Sequence, residues 1–110
     1  MIAKTLISGQ NNVISLSIEF DDYNIIRNMT FKIFGDLELE TILEKIKLEV
    51  LYAPIEDLLT ITSDDIINSF EIQEDKLHWG VIVEDSLRNV AIECLKQQTS
   101  PVYYNYELEE

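Results

Sequence analysis

The chain has 110 residues, enough for one domain whose core needs no disulfide or metal to hold it. Apolar residues make up 46% of it and charged residues 26%, and Gly and Pro are scarce, so a soluble protein built mostly of regular structure is expected. A formal net charge of -13 repels phosphate backbones and anionic bilayers, which makes nucleic acid and membrane poor partners; the acidity serves solubility or a basic protein patch.

Residues Ile2 to Ile7 alternate weakly, and Gly9-Gln10-Asn11-Asn12 is a cluster of turn formers. From Val13 to Phe20 the alternation is clean. Ile14, Leu16, Ile18 and Phe20 take one side, and Ser15, Ser17 and Glu19 the other, as in a half-buried strand. Asp21-Asp22-Tyr23-Asn24 marks a second turn, and Ile26 to Phe34 a third strand. Short connections between successive strands predict an antiparallel meander.

At Gly35-Asp36 the period changes. Leu39, Ile42, Leu43, Ile46 and Val50 recur at helical spacing, and Asp36 stands where an N-cap belongs. Pro54 suits the first turn of a short helix through Leu59, and Thr62-Ser63-Asp64-Asp65 opens another through about Phe70. The polar stretch Glu71 to Asp75 predicts a loop. A last helix is expected from about His78 to Gln98, with Val83, Leu87, Val90, Ala91, Cys94 and Leu95 on its apolar face and Pro101 ending it. Residues 1–100 form the expected domain, and residues 101–110 an acidic, aromatic tail containing Tyr103, Tyr104 and Tyr106. The order of three strands and then helices predicts an α+β fold: a three-stranded antiparallel sheet with helices packed on one face.

The lone Cys94 has no internal disulfide partner, and Met1-Ile2-Ala3-Lys4-Thr5 contains no long apolar run. Both fit a reducing, cytoplasmic setting.

The strand ending Phe31-Lys32-Ile33-Phe34-Gly35, the later Thr62-Ser63-Asp64-Asp65-Ile66 and the closing helix with His78 at its start agree in order and spacing with one family. Across nearly its whole length the chain resembles the NifU/IscU iron–sulfur scaffold family. That resemblance implies a scaffold fold, three cluster-binding cysteines and a cysteine desulfurase as partner. None of the three cysteines is present. Gln10 and Asn12 fall at the first cysteine and the aspartate that follows it, Asp36 replaces the second cysteine, and Trp79 the third; only His78 remains of the family's ligand set. The chaperone-recognition loop before that histidine, Leu-Pro-Pro-Val-Lys in bacterial members, is reduced to Ile72-Gln73-Glu74-Asp75-Lys76, and no counterpart of the family's N-terminal helix precedes the first strand.

Iron–sulfur clusters require soft thiolate donors, which Gln10, Asn12 and Asp36 do not supply. The resemblance therefore points to a non-enzymatic relative that carries no cluster and serves as a protein-binding or accessory factor in iron–sulfur cluster assembly. A second reading keeps a metal: Asp36 and His78 would hold a single divalent ion, though two ligands are too few to close a site. A third reuses the fold for an unrelated partner. Trp79 either fills the space a cluster would take or anchors a partner, with Glu71, Glu74 and Asp75 as an acidic rim.

Overall fold

A computed structural model describes the backbone of residues 1–107 and the side chains of residues 1–97. Three strands, β1 (Ile2–Gly9), β2 (Asn12–Phe20) and β3 (Ile26–Phe34), form one antiparallel sheet in the order β1-β2-β3. The β1–β2 register runs from Ile2 opposite Glu19 to Gly9 opposite Asn12, and the two residues between the strands, Gln10 and Asn11, both have positive φ (50° and 66°). That is the turn whose twist suits a two-residue hairpin. At the next corner the Asp21 carboxylate accepts hydrogen bonds from the backbone N–H groups of Tyr23 (2.9 Å) and Ile25 (3.0 Å) and pairs with Arg27 at 2.7 Å.

The period-two pattern of β2 is realised as expected. Ile14, Leu16, Ile18 and Phe20 are buried on the inner face, while Ser15 and Ser17 are only half-buried and Glu19 is exposed. Helices cover that inner face. Helix α1 (Glu38–Val50) buries Leu39, Ile42, Leu43, Ile46 and Val50, the same stripe its spacing predicts. A 3-10 segment, Ile55–Thr60, follows Pro54, and α2 (Ser63–Ser69) starts at a full capping box. There the Thr62 hydroxyl accepts from the Asp65 N–H, and the Asp65 carboxylate accepts from the Thr62 N–H, satisfying donors the helix end leaves open. The connection expected over 71–75 is a loop through Gln73, followed by a single 3-10 turn, Glu74–Lys76.

Helix α3 (His78–Glu107) is the spine of the fold. It crosses β1 and β2 with Val83, Leu87, Val90, Ala91 and Cys94 buried beneath it. Near its start, Ile82 lies against Gly9 at the β1–β2 hairpin; near Gln97 its side-chain amide donates to the Ile2 carbonyl at 2.9 Å, at the other end of β1. The helix therefore runs antiparallel to β1. Gly80 lets α2 and α3 approach closely, since a Cβ there would stand 3.0 Å from both Ile67 and the Ser63 carbonyl oxygen.

Two expectations about helix ends are corrected. The position before α1 is Leu37, which makes no side-chain cap, so Asp36 is not the N-cap; its carboxylate is engaged by Asn12 and Trp79 instead. Helix α3 does not stop before Pro101 but continues through it to Glu107. A proline removes one i→i−4 bond and crowds the preceding turn, which kinks a helix as readily as it ends one. The tail expected over 101–110 thus begins inside α3, while residues 108–110 and the tyrosine side chains lie outside those described. No described helix is long and apolar enough to cross a membrane.

Candidate functional site

Three separate segments meet at one end of the sheet. The β1–β2 hairpin brings Gln10 and Asn12, the link from β3 to α1 brings Gly35 and Asp36, and the start of α3 brings His78 and Trp79. Asn12 is the hub, 1% exposed and fully engaged. Its Oδ1 accepts from the Asp36 backbone N–H at 2.6 Å, and its Nδ2 donates to the Gln10 carbonyl at 3.1 Å and to Asp36 Oδ2 at 3.3 Å. The same Oδ2 accepts from the indole Nε1 of Trp79 at 2.9 Å.

Gly35 makes this closure possible. It has φ +130°, a conformation that side chains disfavour, and a Cβ there would stand 2.1 Å from Asn12 Oδ1. The amide of Asn12 fills the space a side chain at 35 would need. The glycine before Asp36 is therefore a packing requirement of the Asn12 contact.

The electrostatics follow from the hydrogen bonds. The Asp36 carboxyl is held below the usual carboxylate range, first by the Trp79 indole N–H, then by the Asn12 amide, with the nearby charges of Lys76 and His78 adding to it against a partial desolvation cost. Lys76 also lies over the Trp79 ring, 5.4 Å from its centroid, and the His78 ring meets Trp79 edge-on at 6.3 Å.

Of the residues singled out in the sequence, Asn12, Asp36, Trp79 and the Gln10 carbonyl are joined by hydrogen bonds, and His78 borders them through its ring. Trp79 is 9% exposed, so it fills the site and is not a projecting anchor. Glu71, Glu74 and Asp75 are exposed beside it, on the loop leading into α3. Exposed apolar residues flank the same segments: Phe34 (63%) and Leu37 (70%) on either side of Gly35-Asp36, with Leu77 and Val81 bracketing the first turn of α3. None of the four stands out in the sequence as a surface residue, and Phe34 enters there only as the end of β3 and of the segment before Gly35.

The side chains present do not fit an iron–sulfur cluster. No thiolate faces the site, and the Asn12, Asp36 and Trp79 groups already occupy one another. Cys94 is buried mid-helix on α3, about 22 Å along the axis from Trp79 at 1.5 Å per residue, and burial pushes its thiol up to about 11. It is neutral at physiological pH and remote from Asp36. Both N–H donors to the Asp36 carboxylate fall on Oδ2, which leaves a metal only Oδ1, and among the described residues no group of three His, Cys, Asp or Glu is placed to hold an ion.

The sequence matches no protein-family model and no curated protein.

Proposed function

We propose that this chain is a non-catalytic relative of the NifU/IscU scaffolds whose former cluster end has become a protein-binding surface, acting as an accessory factor in iron–sulfur cluster assembly. The observation that carries the reading is the closed set Asn12–Asp36–Trp79, in which Asp36 and Trp79 stand where the resemblance implies cysteines and Asn12 where it implies an aspartate. Hydrogen-bonded amide, carboxylate and indole groups give that end shape without giving it a redox or sulfur-transfer chemistry. Phe34, Leu37, Leu77 and Val81 supply apolar area around it, and Glu71, Glu74 and Asp75 a charged border. An apolar centre with an acidic rim suits a partner presenting a basic patch, with association steered by charge.

The cysteine desulfurase of the same host is the partner to test. Mixed with the purified chain, it should form a complex whose association slows as salt rises, and Phe34→Ser with Leu37→Ser should weaken that complex without lowering the melting temperature of the chain. No complex at low salt would remove the assembly role.

A further inference from the structure

Beside the closed site lies an open groove of about 430 Å³ between the first turns of α1 and the segment Phe70 to Lys76. Ile42, Phe70, Ile72 and Trp79 give it an apolar floor; Glu38, Glu71, Gln73 and Lys76 stand at its polar border. Glu71 has φ 51°, and the backbone N–H of Ile72 donates to the Ile67 carbonyl at 3.0 Å, so the outer wall is tied to α2. The border charges are unequally committed. Lys76 lies over the Trp79 ring and acts on Asp36, whereas Glu38 and Glu71 are exposed and, among the described residues, their carboxylates make no hydrogen bond or salt bridge.

We propose that this groove binds an extended segment of a partner protein through one Arg or Lys with an adjacent aliphatic or aromatic residue. The aliphatic stem of the cation would lie on the Ile42, Ile72 and Trp79 floor and its head would meet Glu38 and Glu71, the arrangement by which long basic side chains cover apolar surface while keeping their charge solvated. An acidic segment would meet two uncompensated carboxylates in a protein of net charge -13. A purely apolar segment would leave both carboxylates beside a contact that gives them nothing. The inference rests on the protein-binding reading above and names what that surface selects.

Trp79 is the only tryptophan of the chain and lines the groove, so its fluorescence reports occupancy. A randomised display library of linear peptides, selected against the full chain, should enrich sequences with Arg or Lys within two positions of a large apolar residue. A synthesised winner should change Trp79 emission saturably, and its affinity should fall with salt and by at least about fivefold in the Glu38→Gln, Glu71→Gln double variant. Thermal melts confirm that this double variant is folded. No enrichment, a consensus without a cation, or unchanged affinity in the double variant overturns the groove assignment. If that assignment fails while the desulfurase still binds, or while the winner loses affinity only in the Phe34→Ser, Leu37→Ser variant, the protein-binding reading survives without the groove. Absence of both peptide and desulfurase binding removes both.

Discussion

At Gly35 one missing side chain decides whether three segments can meet. The residue combines a φ of +130° with a neighbouring amide oxygen 2.1 Å from where a Cβ would lie. Gly35→Ala should therefore destabilise the fold by at least about 2 kcal/mol in urea melts, since backbone strain and displacement of Asn12 act together. Asn12→Ala leaves the Asp36 N–H without its acceptor inside the fold and should cost about 1–3 kcal/mol. A change under half a kcal/mol in both would mean that the Asn12 contact is incidental. The Asp36 carboxyl adds a pH signature. Its pKa is lowered in the folded state, so its contribution is complete above the ordinary carboxylate range and is lost as pH falls through the folded value. The stability gap between the native chain and Asp36→Asn should be constant near neutrality and should narrow in acid; a gap that widens there contradicts the hydrogen-bonded carboxylate. Asp36 also shows where the sequence was silent. An Asp ahead of a helical stripe is the ordinary signal of an N-cap, yet the groups that claim it lie 24 and 43 residues away. Nothing local records that competition, whereas the resemblance did single out Asn12, Asp36 and Trp79 as positions to watch.

The elements were legible wherever one face is buried and the other wet. The α1 stripe and the β2 alternation were read to the residue, because a period survives any detail of packing. The α2 cap was legible as well, since its partners Thr62 and Asp65 are three residues apart. Thr62→Ala should cost about 1 kcal/mol, and Glu84→Gln should cost less; Glu84 reaches back from α3 to accept from the Ser63 N–H at 2.9 Å, a long-range cap that no local pattern marks. Equal melting temperatures for Thr62→Ala and the native chain would show that the capping box is not holding α2. Helix α3 was read correctly at its start and too short at its end. Pro101 is an ordinary stop signal, yet α3 runs on through it, because one lost i→i−4 bond bends a helix as readily as it ends one. Cys94 was assigned to the apolar face of α3, and its burial there means that a thiol reagent such as DTNB should react slowly until denaturant opens the core. Rapid stoichiometric labelling of the folded chain would reopen a redox role.

For the whole molecule, α3 sets the geography. It places the Asn12–Asp36–Trp79 end at the β1–β2 hairpin and the thiol toward the opposite end of the sheet, so sulfur chemistry and the candidate surface are separated by the length of the domain. The net charge of -13 bathes the apolar residues around Asp36 in a negative field, which disfavours association between copies and favours a basic partner. Association with such a partner should slow as ionic strength rises past the point where the screening length, about 10 Å at 0.1 M, is shorter than the charged rim is wide. An association rate indifferent to salt would place the contact away from Glu71, Glu74 and Asp75. The central claim is that the end where the resemblance places a cluster is closed by hydrogen bonds. The most direct measurement is anaerobic reconstitution of the purified chain with iron and sulfide, followed by its visible absorption spectrum after desalting. The account predicts no charge-transfer bands and no retained iron; a stable, stoichiometric chromophore would contradict it.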